Sequence, residues 1–241
     1  MVSEEVRYSA NGVTYVGQLA APEIDGRHPG LLVAHEAPGL SAHTVEVAHR
    51  LAGLGYVAVA IDFVGAGRLM STMPEVQQAI QGWEADPTQL RAACGAAHEL
   101  LLARADVDSA RIGGLGYCFG GQALVEYART GADLKAVAGF HAGMSVNRPD
   151  ESRAIRTPLL MLMGAADPIS TGAQRSAFEA EMNAAGVSWS MVVYGGVGHS
   201  FTNPAAGDAG IDGVAYDAAA DADSWAHTLR WLDERGLDVD R

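Results

Sequence analysis

The sequence predicts an α/β fold in which a mostly parallel sheet carries helices on both faces. Three observations lead there. Short apolar runs alternate with longer amphipathic stretches, as βα units do. Several of those runs, Tyr56-Val57-Ala58-Val59-Ala60-Ile61 among them, read as strands buried on both sides. The chain has 241 residues, 49% of them hydrophobic, which suits one large domain over 1–241 with a sizeable core.

The elements follow in order. Residues 13–19 read as an antiparallel-type strand ahead of the α/β pattern, and 30–35 as a buried strand. A helix over 42–54 stops at Gly55. The strand 56–62 leads into Gly65-Ala66-Gly67, and helical patterns cover 74–83 and 86–104. The strand 111–116 ends in a tight turn at Cys118, and a helix runs from there to about 129. Strands are expected at 136–140, 158–163 and 188–194. A helix over 173–185 stops at Gly186, and a final helix over 216–235 stops at Gly236.

Composition excludes several function classes. Against 16 basic side chains stand 29 acidic ones, a formal net charge of -13. Such a surface repels phosphate backbones and anionic lipid, so neither nucleic acid nor membrane is an expected partner. No secretory signal is visible, and no apolar run reaches the ~20 residues that span a bilayer. The two cysteines, Cys94 and Cys118, do not form a CxxC pair, and a reducing, cytoplasmic setting is the default. There is no Walker-A motif or dinucleotide fingerprint, and Gly65-Ala66-Gly67 alone is too weak for a phosphate site. The acids of 208–223 lack calcium-loop spacing and read as a solvated loop and helix start.

The chemistry concentrates in four places. Gly116-Tyr117-Cys118-Phe119-Gly120-Gly121 has the pattern of a nucleophile elbow, with cysteine at the attacking position between a strand and a helix. A helix N-terminus there favours a thiolate and a developing oxyanion. A thiol needs a base, and the base needs orienting. Asp167 lies in a loop after the strand 158–163, and His199 in a loop after the strand 188–194. In a parallel sheet all three fall at the carboxyl edge, and nucleophile, acid, histidine is the chain order of the α/β-hydrolase fold. Taken singly, Cys118 could be a small buried hydrophobe, Asp167 a helix cap and His199 a loop histidine. His35-Glu36-Ala37 follows an early core strand, where a second oxyanion donor is expected. The Ala37 and Phe119 N–H groups are assigned to that hole. Glu36 then needs a partner, either the thiol or a nearby cation. Cys94, in an apolar helical stretch, and His141, after a strand, read as structural; Trp83 fits a pocket wall and a core position equally.

These blocks resemble the dienelactone hydrolase family over nearly the whole chain: His35-Glu36, the run 54–62, the Cys118 elbow, Gly164-Ala165-Ala166-Asp167-Pro168 and Gly198-His199-Ser200-Phe201. The resemblance implies an α/β-hydrolase fold and a hydrolase of carboxylic esters or lactones, of the carboxymethylenebutenolidase type. It implies a Cys118, His199, Asp167 triad working through an acyl-thioester, no metal or organic cofactor, and a Glu36 that pairs with the resting thiol and releases it when substrate binds. The partner it implies is a small ester or lactone, the protein being a monomer or small homo-oligomer. Two substrate-binding arginines of the family pattern are altered. One is replaced by Asn203, four residues after His199, and the other is matched only by Arg68, about two residues late. Losing a carboxylate clamp weakens selection for an anionic lactone.

Two other readings compete. A cysteine amidotransferase or peptidase-like enzyme also sets its cysteine at a strand–helix turn, but Phe119 and Phe201 stand where its histidine or glutamate belongs. A non-catalytic binding protein can keep the same fold.

Overall fold

A computed structural model describes residues 1–144 and 148–239. Its strands are β1 (Val2–Ala10), β2 (Val13–Ala21), β3 (His28–Ala34), β4 (Val57–Ile61), β5 (Val107–Tyr117), β6 (Val137–Phe140), β7 (Leu159–Gly164) and β8 (Trp189–Tyr194). The helices are α1 (Ala42–Gly53), α2 (Met73–Ala85), α3 (Thr88–Leu102), α4 (Phe119–Ala128), α5 (Pro149–Ser152), α6 (Gly172–Ala185) and α7 (Ala218–Asp233). One sheet forms in the order β1-β2-β4-β3-β5-β6-β7-β8. β1 and β2 are antiparallel, and β3 to β8 run parallel to one another.

Period-two alternation divides the core between the two faces. Leu32 and Ala34 of β3 join one apolar cluster, with Leu90 and Ala97 of α3, Leu124 of α4 and Phe178 of α6. Leu31 and Val33 join the other, with Val47 and Leu51 of α1 and Trp225 and Trp231 of α7. The helices therefore cover both faces, as parallel strands require.

β1 departs from the expected pattern, which had no strand before residue 13. Its first four residues are exposed, and it bonds to β2 on one side only. An edge strand of this kind carries charge instead of a continuous apolar run. The last helix begins two residues later than expected because Asp217 caps it, accepting from the N–H groups of Ala219 and Ala220.

The topology already points to a site. From β3 the chain goes first to β4 on one side and then to β5 on the other, so the strand order reverses at β3. Ligands of open α/β sheets bind beyond the carboxyl ends at such a reversal. Ala34 pairs with Gly116, which sets Glu36 and Cys118 equally far beyond the paired ends of β3 and β5.

Candidate active site

Cys118 is the only residue between β5 and α4. To turn the chain there it takes φ 52° and ψ -119°, a conformation that strains any L residue. Its N–H donates to the Phe140 carbonyl at 3.0 Å, and its carbonyl accepts from Gly121 at 3.1 Å and Gly143 at 3.0 Å. Close approach explains the flanking glycines. A Cβ on Gly116 would fall on the Gly120 carbonyl, and one on Gly120 on the Ala34 carbonyl. The end of β3 is thus pressed against the first turn of α4. Phe119 opens α4, so its N–H has no acceptor within the helix.

Asp167 and His199 meet beside this turn. His199 Nδ1 lies 2.7 Å from Asp167 Oδ2, with both side chains buried. The other carboxylate oxygen, Oδ1, accepts from the N–H groups of Ile169 at 2.7 Å and Ser170 at 2.8 Å. An ionised carboxylate only accepts, so Nδ1 carries the proton and Nε2 is left for other work. Nε2 is buried and has no partner of hydrogen-bonding geometry. Burial opposes a charge on His199, yet the Cys118 sulfur and the Asp167 carboxylate outweigh it and push the imidazole up to about 10. Burial would also raise Asp167, but His199 and the two backbone N–H groups hold its carboxyl below the usual range. Both neighbours favour the charged form of the imidazole.

Glu36 is buried among polar side chains. Its carboxylate accepts from Ser200 Oγ at 3.3 Å and Asn203 Nδ2 at 2.8 Å, and His43 Nδ1 stands 3.8 Å away. Among the described residues no hydrogen bond joins Glu36 to Cys118, and Asn203 supplies a neutral donor. Burial would raise Glu36; His43, Asn203 and His199 together hold it below the usual carboxylate range. Arg68 is about half exposed and ion-paired with Glu75. Trp83 stacks on Phe119 at 5.0 Å and meets Phe63 edge-on at 5.5 Å, an aromatic wall on the Cys118 face of the sheet. Ala37 is buried, and its N–H makes no backbone hydrogen bond among the described residues.

Asp62 carried no functional signal in the sequence, whereas His141 and Cys94 already read as structural. Asp62 accepts four backbone N–H groups, from Val16, Val64, Gly65 and Gly67, at 2.8–3.0 Å. It thereby shapes the loop that bears Phe63 and Arg68. His141, with φ 40°, is buried against the His199 ring at 5.1 Å and bonds to Thr202 at 2.8 Å. Burial pushes the Cys94 thiol up to about 12, the condition of an inert core cysteine. A cleft of about 720 Å³ opens beside the site between α1, α7 and the 202–205 loop, its walls including His43, Arg50, Tyr117, Asn203 and Trp225. It adjoins Glu36 through His43 and Asn203 and does not open onto the sulfur. Among the described residues, no group of three or more His, Cys, Asp or Glu could hold a metal, and no helix is long and apolar enough to cross a membrane.

A strained residue joining a parallel strand to a helix, where the strand order reverses, marks the α/β-hydrolase fold, and this chain has that fold. Comparison with known proteins narrows the class: residues 15–236 match the dienelactone hydrolase family, and the chain belongs to it. It is 27% identical to a protein of Bradyrhizobium sp named "Probable 2-oxo-3-(5-oxofuran-2-ylidene)propanoate lactonase", over 94% of this chain and 92% of that one. A solved structure from metagenomic libraries, described as a dienelactone hydrolase-like promiscuous phosphotriesterase, P91, superposes with a TM-score of 0.92 at 35% identity, covering 97% of this chain and 98% of that one. Another, m3DLH, gives a TM-score of 0.93 at 38% identity with the same coverage.

Proposed function

We propose that this hydrolase cleaves carboxylic esters or lactones by acyl transfer to Cys118. The observation that carries the reading is the buried 2.7 Å Asp167–His199 contact, with His199 raised by the neighbouring sulfur. The Cys118 thiolate attacks the carbonyl carbon, and the carbonyl π pair moves onto oxygen. Backbone N–H groups of Phe119 and Ala37 receive that oxyanion. The tetrahedral intermediate collapses, the carbon–oxygen bond to the alcohol breaks, and His199 gives its Nε2 proton to the leaving oxygen. Neutral His199 then takes a proton from water, which attacks the thioester and releases acid and thiolate. Asp167 holds the imidazole in the Nδ1–H tautomer throughout.

The site favours a neutral substrate. Asn203 is engaged by Glu36 and Arg68 by Glu75, so neither is a free carboxylate clamp. Glu36 and Asp167 add negative charge nearby. The likeness to P91, described as a promiscuous phosphotriesterase, supports a second activity on phosphotriesters.

The test is a panel of p-nitrophenyl acyl esters, neutral lactones, an anionic dienelactone and an aryl phosphotriester. Neutral p-nitrophenyl esters should turn over, and the anionic lactone should lag. Cys118→Ala and His199→Ala should each lower kcat by ~10³-fold or more. Undiminished turnover in both variants would refute the assignment.

A further inference from the structure

His35 occupies an unusual place for a histidine. It is the first residue after β3, fully buried, with its ring stacked on Phe63 at a centroid distance of 3.7 Å. Both ring nitrogens face backbone. The Phe63 N–H points at Nε2 from 3.5 Å, and Nδ1 lies 2.6 Å from the Glu36 carbonyl oxygen. These contacts fix the tautomer: Nε2 faces a donor and must accept, so Nδ1 carries the hydrogen and donates to Glu36. Burial pushes the imidazole down to about 4, so it stays neutral and keeps an acceptor at Nε2.

The consequence lies in the other half of the same peptide unit. A trans peptide is planar, with its C=O and N–H pointing in opposite directions. The Glu36 carbonyl and the Ala37 N–H belong to one such plane. Whatever holds the carbonyl therefore aims the N–H. The Glu36 carbonyl is held twice, by His35 Nδ1 and by the Gly39 N–H at 3.1 Å. The His35 ring also rests on Phe63, whose ring packs 6.0 Å from that of Phe119, the residue bearing the other donor.

We propose that His35 is a positioning residue, which locks the Glu36–Ala37 peptide plane so that the Ala37 N–H faces the developing oxyanion. This rests on the ester-hydrolase reading above and adds to it a residue that touches neither substrate nor sulfur. A donor aligned before the reaction stabilises the transition state more than the ground state, so its loss lowers kcat more than it raises KM.

The test compares His35→Phe, which keeps a stacking ring and loses the donor, with His35→Gln, whose amide can donate to the same carbonyl. With a p-nitrophenyl ester, His35→Phe should lower kcat by about 10- to 100-fold with KM within about twofold, and His35→Gln should recover most of the loss. Alkylation of Cys118 by iodoacetamide creates no oxyanion, so its rate should stay at the wild-type value in both. Wild-type kcat in His35→Phe overturns the inference, as does a fall in alkylation that parallels the fall in kcat. Nitrogen-15 NMR of the wild-type protein supplies a readout without substitution: His35 should be the Nδ1–H tautomer, and an Nε2–H tautomer overturns the inference even if His35→Phe does not fold. Neither the tautomer nor the kcat effect depends on which atom attacks. Failure of the Cys118 assignment shows separately, as turnover that survives complete alkylation of Cys118 in the wild type.

Discussion

Asp167 has two effects on His199 that one substitution can separate from mere packing. It orients the ring through a 2.7 Å contact, and its charge helps hold the imidazole at about 10. Asp167→Asn keeps an oxygen for the Ile169 and Ser170 N–H groups and removes the charge. The alkaline limb of kcat/KM should move to lower pH, with kcat falling by roughly 10²–10⁴. Stability should follow the same linkage. A raised histidine contributes fully below its ordinary value of 6.5, and that contribution is lost as pH rises through about 10. The Tm gap between wild type and Asp167→Asn should therefore be widest below 6.5 and narrow toward 10. An unchanged gap across that range would remove His199 from the explanation. At this scale sequence legibility was uneven. Cys118, Asp167 and His199 could be singled out because each lies within five residues of the end of a strand. His43 and Ser200 could not, because their approach to Glu36 depends on how α1 and the loop after β8 fold over the end of β3. The same holds for the plane-fixing geometry of His35, which depends on a ring seen only in three dimensions.

α4 shows how an element can be legible in extent and opaque in support. Its span was readable from the turn at Cys118 and the apolar residues after it. Its far end is braced by buried charge that a sequence reading takes for an exposed helix face. Glu126 is 2% exposed and is bonded by Arg91 and Arg129, and Arg129 also reaches Glu181 at 2.7 Å and Ser152 at 2.9 Å. Such a cluster is costly unless complete, so it fixes α4 against its neighbours. At the near end the glycines decide the geometry. Gly120→Ala would drive a Cβ into the Ala34 carbonyl, a backbone atom that cannot swing aside. The expected cost is about 1–3 kcal/mol or more, seen as a lowered Tm, with a further loss of kcat as β3 and α4 separate and their two donors part. Full stability and activity in Gly120→Ala would show that the close approach is not required. β1 is the opposite case, an element missed altogether, because strand signals depend on burial and its first four residues are exposed.

Across the whole molecule, charge and topology act together. The reversal of strand order at β3 gathers the ends of β3 and β5 into one crevice, with the loops after β7 and β8 alongside, and the sequence expressed this only as a row of strand ends. The net charge of -13 gives the molecule a long-range field that repels anions. Because salt screens such a field over about 8–10 Å, kcat/KM for an anionic ester should rise with ionic strength, while that for a neutral ester of the same shape stays flat. Equal salt dependence for the two would assign the selectivity to local contacts alone. The proposed mechanism passes through a covalent acyl group on one sulfur, and intact-protein mass spectrometry after rapid acid quench with p-nitrophenyl acetate reads it directly. The expected result is one added acetyl group, mapped to the peptide containing Cys118 and absent in Cys118→Ala; steady turnover with no acyl adduct, at an undiminished rate in Cys118→Ala, would contradict it.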